Sequence, residues 1–438
     1  MERLTGWGRS LWSRSEVAYP ATVEAVAEAV TSAGRRGVLT RGLGRAYGDA
    51  ALNAGGSVLR LNHMSAIGPI SPDGVITLDA GVVLDDLIRH ALPQGWFVPV
   101  TPGTAHVSVG GAVAADVHGK NHHAVGSFGQ HLAWVEVVDG RGRLRRLQSA
   151  DPLLGAVIAG MGLTGVITRV GLRLRPVTSP LMTVRTTRTT GLEQTMAVLS
   201  EDDTRFPYTV AWIDTLTAGA AMGRGIVTSG NHTDGAAARA TVAVPRAART
   251  LPGPPWAPAG LLNRTSIRAF NGAYYRHGPR HPRTDEQTIG AFFHPLDVID
   301  GWNRLYGPRG FLQYQVVVPD PHSIEALMTL LQRAHVLSFL AVLKRFGPSY
   351  GAPLSFPIPG WTLALDIPVS NGIHATLDAA DDLVVSAGGR TYFAKDSRLR
   401  PELVPVMYPQ LEHWRALRAD LDPDGVFVSD LARRLSLC

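Results

Sequence analysis

The stretch RGLGRAYGD, residues 41–49, follows a short apolar run, GVLT, that predicts a β-strand. Its glycines allow positive φ angles and close approach to a ligand, so that several backbone N–H groups can face one anion. The spacing is G-x-G-x-x-x-G rather than the G-x-G-x-x-G of dinucleotide-binding βαβ units, and no helical pattern follows at once. The stretch therefore predicts an anion-binding loop after a strand and does not support an NAD-binding Rossmann unit.

A second glycine-rich stretch, TPGTAHVSVGGAVAADVHGKNHH (101–123), lies 52 residues further on. Two separated loops that can wrap a diphosphate predict a large nucleotide cofactor held mainly by backbone. His118 and His122 have the spacing of one helix face, but Gly119 and Asn121 disfavour a helix and no H-E-x-x-H pattern is present. We therefore predict no metal and expect His118 to be a hydrogen-bond partner or proton acceptor, with a structural histidine as the alternative.

Hydrophobic periodicity predicts the elements around these loops. Helices are expected at 22–33, 84–92, 322–335 and 409–421, and strands at 37–40, 56–61, 75–80, 96–100, 134–138, 144–147, 311–318 and 361–368. Thr-rich alternating segments from about residue 180 predict an antiparallel sheet. The Pro-, Gly- and Arg-rich region 244–285 predicts an irregular loop, and 244–285 and 313–325 are candidate lids.

Length and composition limit the class of protein. A chain of 438 residues exceeds the roughly 250–300 that one core can serve, so two domains are expected. The apolar share of 45% and charged share of 18% exclude a disordered protein. No apolar run of about 18 residues and no secretory signal is visible, so the expected location is cytoplasmic or peripheral at the inner membrane, with the periplasmic side left open. A peripheral membrane contact fits this, whereas the scattered arginines do not predict nucleic-acid binding.

The choice of basic residue is more informative. Of the 42 basic residues only three are lysine: Lys120, Lys344 and Lys395. Lysine is a compact charge whose pKa can move, while arginine does not release its proton in proteins. We therefore expect at least two of the three lysines to face one site. The single cysteine, Cys438, excludes an intrachain disulfide.

Several long motifs resemble one family. They include RGLGRAYGDAALNAGG, TPGTAHVSVGGAVAADVHGKNHHAVGSFG, GLTGVITR, FHPLD, WNRLYGPRGFLQYQ, APLSFPIPGW, AKDSR and SDLARRL. The chain resembles the decaprenylphosphoryl-β-D-ribose 2'-oxidases, the flavin subunits of the decaprenylphosphoryl ribose 2'-epimerases of actinobacterial cell-wall synthesis. The wider similarity is to FAD-binding proteins of the vanillyl-alcohol oxidase (PCMH) type, and it runs from LTGWGR (4–9) to the last helix.

The resemblance implies an α+β fold with two domains. It places an FAD-binding domain at 1–179, an antiparallel-sheet substrate domain at 180–389, and a segment that returns to the FAD domain at 390–438. The implied FAD contacts are Arg41, Gly42, Leu43, Gly44, Arg45, Ala46, Tyr47, Gly48, Asp49, Gly103, Ser108, Val109, Gly110, Gly111, His118, Gly119, Lys120, Asn121, Ile167 and Tyr392. Arg45 stands where many relatives carry the histidine that binds flavin covalently, so non-covalent FAD is implied.

The implied reaction is oxidation of the 2'-hydroxyl of a polyprenyl-phosphoryl ribose to the 2'-keto sugar. The resemblance implies Lys395, His118 and Gln315 as catalytic residues. The implied substrate-binding residues are Lys120, Gln313, Lys344, Tyr47, Phe293, Trp361, Thr362 and Ala364. A separate NADH-dependent short-chain reductase would complete the epimerisation to the arabinose donor of cell-wall arabinan.

The chain departs from the mycobacterial members of the family at three positions. Thr362 and Ala364 replace an asparagine and a cysteine after P-G-W, and Phe293 replaces a tyrosine before H-P-L-D. In that family the cysteine is the residue attacked by covalent inhibitors and is not catalytic. These changes keep two alternatives open: an FAD-dependent oxidase of another sugar or sugar nucleotide, for instance in antibiotic biosynthesis, and a non-catalytic flavin-binding scaffold subunit.

Overall fold

A computed structural model describes residues 1–234, 251–252 and 260–438. The strands, in chain order, are β1 (Glu2–Thr5), β2 (Trp12–Ala18), β3 (Val38–Arg41), β4 (Ser57–Arg60), β5 (Ile67–Ile70), β6 (Val75–Asp79), β7 (Trp96–Phe97), β8 (Leu132–Val138), β9 (Leu144–Gln148), β10 (Val166–Arg173), β11 (Arg175–Pro176), β12 (Leu181–Thr189), β13 (Tyr208–Ile213), β14 (Gly225–His232), β15 (Leu251–Pro252), β16 (Arg283–Thr288), β17 (Ile299–Asp300), β18 (Phe311–Val318), β19 (Ala341–Phe346), β20 (Gly360–Pro368) and β21 (Arg390–Thr391).

The α-helices alternate with these strands through most of the chain. They are α1 (Val23–Thr31), α2 (Leu84–Ala91), α3 (Val109–Ala114), α4 (His122–Val125), α5 (Pro152–Val157), α6 (Leu192–Asp202), α7 (Arg264–His277), α8 (Ile289–Phe293), α9 (Pro321–Arg333), α10 (Ile373–Ser386), α11 (Val404–Met407), α12 (Leu411–Leu421) and α13 (Asp430–Leu435). Within the described ranges no helix is long and apolar enough to cross a membrane.

Two small sheets form the N-terminal part of the described structure. The first has the order β1-β2-β4-β3, in which β4 runs parallel to both β2 and β3. The second is an antiparallel sheet with the order β5-β6-β10-β8-β9. Helix α1 begins as the sequence predicts, with the Thr22 hydroxyl accepting from the Ala25 N–H, and it buries Val26 and Val30. The strand β3 feeds directly into the first glycine-rich stretch.

The second part is built on one antiparallel sheet of eight strands, in the order β16-β12-β14-β13-β19-β20-β18-β21. The antiparallel sheet predicted from residue 180 onward is therefore present. Its last strand, β21, is followed by the C-terminal helices, which pack into the same core as the sheet. The predicted domain boundaries after residues 179 and 389 stay a prediction.

Two predicted loops are wrong where the structure describes them. Residues 264–277 form α7 and 283–288 form β16, whereas the rest of the predicted 244–285 loop lies partly outside the described residues. Asn263 caps α7 by accepting from the N–H groups of Thr265 and Ser266, a local signal that outweighs the Pro- and Arg-rich composition. The second candidate lid, 313–325, is not a loop either: it covers most of β18 and the start of α9.

One buried ion network joins three distant segments of the chain. Arg434 on α13 binds both carboxylate oxygens of Asp49 at 2.8 Å and one oxygen of Asp396 at 2.8 Å. The two aspartates expose 6% and 2% of their side chains, so neither carboxylate has water to replace the guanidinium. Arg434 therefore ties the first glycine-rich loop to the C-terminal return segment.

We predict that Arg434→Ala lowers the free energy of unfolding by about 3 kcal/mol, because two buried carboxylates lose their partner. Urea unfolding followed by circular dichroism measures the change. Arg205→Ala is the matched control, since its ion pair with Glu201 is exposed and is worth under about 1 kcal/mol. Equal losses in the two variants would contradict a structural role for the Arg434 network.

Candidate active site

One face of the eight-stranded sheet carries polar residues where β18 and β20 pair. Gln313 lies opposite Asp366 and Gln315 lies opposite Ala364. Residues directly opposite each other share a face of the sheet, and successive residues alternate between faces. Gln313, Gln315, Thr362, Ala364 and Asp366 therefore point to one side, which we call the site face.

The site face meets the second glycine-rich stretch at His118. The side-chain amide of Gln315 donates to His118 Nε2 at 2.9 Å and to the Thr362 hydroxyl at 3.2 Å. His118 is boxed by the rings of Phe346 and Tyr392, with centroids 4.9 and 5.2 Å away. Burial, followed by the nearby lysine charges, holds its pKa well below the usual value.

The other nitrogen of His118 has no partner. Its Nδ1 is buried and meets no hydrogen-bonding group among the described residues. Because Nε2 accepts from Gln315, the neutral ring carries its proton on Nδ1. A buried N–H without an acceptor costs free energy unless a ligand supplies one. His118 is thus prepared to donate to a bound group.

A second cluster lies along the site face around Lys395. The Lys395 ammonium sits 3.9 Å from the centroid of the Tyr47 ring. Asp366 accepts from the Gln313 amide at 2.5 Å and lies 3.5 Å from the Tyr306 hydroxyl. Burial raises the pKa of Asp366, while burial lowers the pKa of Lys395 in spite of the Asp366 charge. The two groups can therefore exchange their charged and neutral forms near neutral pH.

All three lysines of the chain converge on this region. Burial lowers the pKa of Lys120 to about 7, with a further contribution from Lys344. Burial also lowers the pKa of Lys344 to about 8, and the charge of Lys344 lowers the pKa of Lys395. Lys120 donates to the Phe292 carbonyl and lies 4.1 Å from the centroid of the Phe292 ring. The three lysines therefore lie near one another, which favours binding of an anion, and their role in a site stays a prediction.

The first glycine-rich loop leaves backbone donors available. Among the described residues, the N–H groups of Leu43, Gly44, Arg45 and Ala46 have no protein acceptor, whereas the N–H of Tyr47 donates to the Ala394 carbonyl. Gly44 adopts a φ of +67°, which an L-residue rarely adopts. These free donors suit the diphosphate of a nucleotide cofactor.

The two glycine-rich loops touch each other. A Cβ on Gly42 would overlap the Ser108 hydroxyl, so only glycine permits this approach. Ser108 caps α3 by accepting from the Gly111 N–H. Gly103 has no neighbour that a Cβ would meet within 4 Å and is exposed. The two loops thus adjoin each other and form what we call the cradle, as expected if they hold one large cofactor together.

Several predicted cofactor contacts have side chains or N–H groups that are already engaged within the protein. The Arg41 guanidinium donates to the carbonyls of Thr5 and Ala51, and Asp49 pairs with Arg434. The N–H groups of Val109 and Gly110 donate to Val82 and Ala80. Asn121 donates to the Pro99 carbonyl, Tyr392 donates to the Ala115 carbonyl, and Ile167 is a buried residue of β10. These groups shape the cradle, and their direct contact with a cofactor stays a prediction.

Two predicted substrate-binding residues do not lie on the site face. Trp361 precedes Thr362 on β20, so alternation turns its side chain to the opposite face, where it joins the core. Phe293 is 1% exposed and packs among Phe97 and Tyr208. The Lys120 ammonium lies 4.1 Å from the centroid of the neighbouring Phe292 ring and 6.0 Å from that of Phe293.

Asp366 is the site residue that the sequence reasoning missed. It lies in the strand LALDIP, which reads as an ordinary apolar strand with one acid. The available signal was the period of two that relates Asp366 to Thr362 and Ala364. No group of three or more His, Cys, Asp or Glu side chains in the described ranges is placed to hold a metal ion.

Comparison with known proteins identifies the family of the chain. The FAD-binding domain family matches residues 15–148, and the D-arabinono-1,4-lactone oxidase family matches residues 366–435. A decaprenylphosphoryl-beta-D-ribose oxidase of Mycolicibacterium smegmatis is 40% identical over 450 residues, which cover 100% of this chain and 98% of that protein. The chain belongs to the decaprenylphosphoryl-β-D-ribose oxidase family.

Two further relatives show the breadth of the similarity. An uncharacterized protein of Streptomyces coelicolor is 41% identical over 81% of this chain and 100% of its own length. An alditol oxidase of a Streptomyces species is 25% identical over 99% of this chain and 98% of its own length. The chain is therefore an FAD-dependent oxidoreductase with the α+β fold of the vanillyl-alcohol oxidase type, as predicted.

We predict that the FAD is held without a covalent bond. Arg45 lies over the Trp7 ring at 4.0 Å and has no nucleophilic atom, so it forms no link to a flavin. Acid precipitation of the purified yellow protein is expected to leave the flavin absorbance in the supernatant. Yellow colour that stays with the precipitated protein would contradict this prediction.

Proposed function

We propose that the chain oxidises the 2'-hydroxyl of polyprenyl-phosphoryl-β-D-ribose to the 2'-keto sugar. The observation that carries the proposal is the meeting of Lys395, Asp366, Gln313 and the Gln315–His118 pair on one site face, beside two further lysines. The printed name of the Mycolicibacterium smegmatis relative supports the ribose substrate. The reaction would be the first half of epimerisation to the arabinose donor of cell-wall arabinan.

An unactivated secondary alcohol carbon has no acidic hydrogen, so inversion by simple deprotonation is not available to it. Oxidation to a ketone followed by reduction from the other face solves this problem. FAD, when bound, supplies the acceptor for the C2' hydride. The protein must orient the sugar, take up the hydroxyl proton and exclude water.

Lys395 is the residue best placed to take the hydroxyl proton. Burial and the Lys344 charge lower its pKa, so a neutral amine is accessible near pH 7. The nearby Asp366 carboxylate can stabilise the ammonium that forms, and Gln313 fixes the orientation of that carboxylate. Such acid–base assistance contributes about 10²–10⁴-fold to a rate.

His118 and Gln315 have a different task. His118 is neutral and offers its Nδ1 proton, so it can donate to the flavin or to a sugar oxygen. Gln315 fixes the tautomer because its amide occupies Nε2, and Thr362 accepts the second amide hydrogen. Lys120 and Lys344 supply the positive charge that a substrate phosphate needs.

The second half-reaction belongs to another protein in this proposal. The stretch GMGLTG, residues 160–165, has the G-x-G-x-x-G spacing, but it follows α5 and leads into β10, whereas the NAD-binding motif follows a strand and opens a helix. A separate NADH-dependent short-chain reductase would therefore reduce the keto sugar. The lipid substrate places the enzyme at a membrane surface, in the cytoplasm or on the periplasmic side of the inner membrane.

The proposal predicts prompt flavin bleaching when farnesylphosphoryl-β-D-ribofuranose is added without oxygen. Absorbance near the flavin band measures the reduction. Bleaching only by another sugar or sugar nucleotide would show that the enzyme oxidises that compound and not the ribose derivative. Absence of bleaching with every sugar would identify a flavin-binding scaffold and contradict the proposal.

A variant series at Lys395 separates its role as a proton acceptor from its role as a positive charge. We predict that Lys395→Ala retains FAD and reduces it at least ~10²-fold more slowly, because the base is lost. Lys395→Arg is the matched control: it keeps the charge but gives up no proton, so it should stay slow if Lys395 is the base. Parent-like reduction by Lys395→Ala would remove the residue from the mechanism.

The pH dependence follows from the same residue. Only the neutral amine accepts a proton, and burial lowers the Lys395 pKa to about 7. The rate of flavin reduction by the parent should therefore rise through about pH 7 and level off above it, and Lys395→Arg should lose this rise. A rise centred near pH 10 instead would show that Lys395 is an ordinary exposed lysine or that another group is the base.

A further inference from the structure

The site face continues across the sheet, well beyond the catalytic cluster. Five residues on neighbouring strands are half-exposed there: Ala364 on β20, Val342 on β19, Val210 on β13, Thr228 on β14 and Thr186 on β12. The register pairs Ala364 with Val342, Val210 with Thr228, and Thr228 with Thr186. Between β19 and β13 the strip steps diagonally, because Val342 lies opposite Trp212 and Val210 is two residues further along the same face. We call these five residues the cross-strand groove.

The groove is open although the strands around it are buried. Val210 is the one half-exposed residue of β13, and residues 361–363 and 365–367 of β20 are buried on either side of Ala364. Small and β-branched side chains line it, and all of them present methyl groups. A continuous strip of this kind favours an elongated apolar ligand.

Two walls border the groove at β13. On one side, the Trp212 ring packs against Tyr274 of α7, with centroids 4.8 Å apart. On the other side, the Lys120 carbonyl accepts from the Thr209 N–H, which brings Lys120 and the Phe292 ring over the strand. Val210 lies between Tyr208 and Trp212 on this face of β13 and forms the floor.

The cross-strand groove carries positive charge near β19, from the side chains of Lys344 and Lys120. Lys344 lies two residues from Val342 on the same face of β19, and Lys120 lies on the wall. No carboxylate of the described residues is within ion-pair distance of either ammonium group. Two lysines without an acidic partner complement the charge of a phosphodiester.

The cross-strand groove is longer than a sugar. Four strand spacings of about 4.8 Å separate β20 from β12, so the groove is roughly 19 Å long. A pentose at Ala364, next to Gln315 and Lys395, occupies only its first part. The rest must accommodate something attached to the sugar, or it stays filled with water on an apolar floor.

We propose that the cross-strand groove binds the phosphate and the first isoprenoid units of the polyprenyl phosphate. The phosphate lies between Lys120 and Lys344, and the chain continues over Val210, Thr228 and Thr186 towards the β12–β16 edge of the sheet. The identity of the ligand rests on the proposed function, whereas the groove is a feature of the protein alone.

Binding of farnesyl phosphate to the FAD-loaded enzyme tests the groove without any sugar chemistry. Isothermal titration calorimetry should show that Thr228→Trp weakens this binding at least ~10-fold, because the indole fills the floor three strands away from Ala364. Asn231→Trp is the matched control, since Asn231 is an exposed residue of the same strand and points to the other face. Equal affinity in both variants would overturn the proposal.

Three further measurements make the outcome unambiguous. FAD content and melting midpoint check that Thr228→Trp is folded, and Val210→Phe replaces it if it is not. Inorganic phosphate and farnesol alone should bind at least ~10-fold more weakly than farnesyl phosphate, and Lys344→Ala should weaken farnesyl phosphate. Farnesol binding that is as tight as farnesyl phosphate would contradict the phosphate position.

Failure of the proposed function looks different from failure of the groove. If farnesyl phosphate binds and Thr228→Trp blocks it, but no ribose derivative bleaches the flavin, the groove stands and the sugar assignment fails. If farnesylphosphoryl ribose bleaches the flavin equally well in parent, Thr228→Trp and Asn231→Trp, oxidation stands and the groove is refuted. A short methylphosphoryl ribose should reduce parent and Thr228→Trp alike.

Discussion

The hydrogen bond from the Gln315 amide to His118 joins the sheet to the glycine-rich loops, and the site depends on it. It sets the position of the site face beside the second glycine-rich stretch. It also fixes the imidazole tautomer and leaves the buried Nδ1–H of His118 without a partner among the described residues. Because the pair is buried, with Gln315 3% and His118 7% exposed, water does not compete for these positions. Tyr392 reinforces the junction by donating to the Ala115 carbonyl at 2.6 Å.

Much of this arrangement follows from sequence. Period-3.6 patterns gave α1 and α12, and alternation gave β18 and β20, because those elements bury one regular stripe. The glycine spacing and the scarcity of lysine predict the cofactor loops and the charged site, and both stay predictions. Contacts between distant segments of the chain are harder to predict: Asp366 joins the site only through its partner Gln313 on another strand. The family resemblance implies Trp361 as a substrate-binding residue, but the pleat turns it to the face opposite Thr362. The composition of residues 244–285 predicts a loop, and this prediction is wrong for 264–277, where a capping box and the buried Ile267 and Asn271 stabilise a helix.

The departures from the mycobacterial members of the family fit this geometry. Thr362 offers a hydroxyl that accepts from Gln315, whose amide also donates to His118. Ala364 is a small, half-exposed residue of β20 on the site face. Phe293 lies in the packed aromatic cluster, with its ring centroid 6.0 Å from the Lys120 ammonium. In this chain the groups proposed for alcohol oxidation therefore lie together beside all three positions.

The most direct test of this account is the isotope effect on flavin reduction. Farnesylphosphoryl ribose carrying deuterium at C2' should reduce the flavin several-fold more slowly than the unlabelled sugar, because the C2'–H bond breaks as the hydroxyl proton leaves to Lys395. Deuterium at C3' should have no such effect. Slowing by the C3' label, or by neither label while the flavin is still bleached at a chemistry-limited rate, would contradict the assignment of the sheet's polar cluster to the 2'-alcohol.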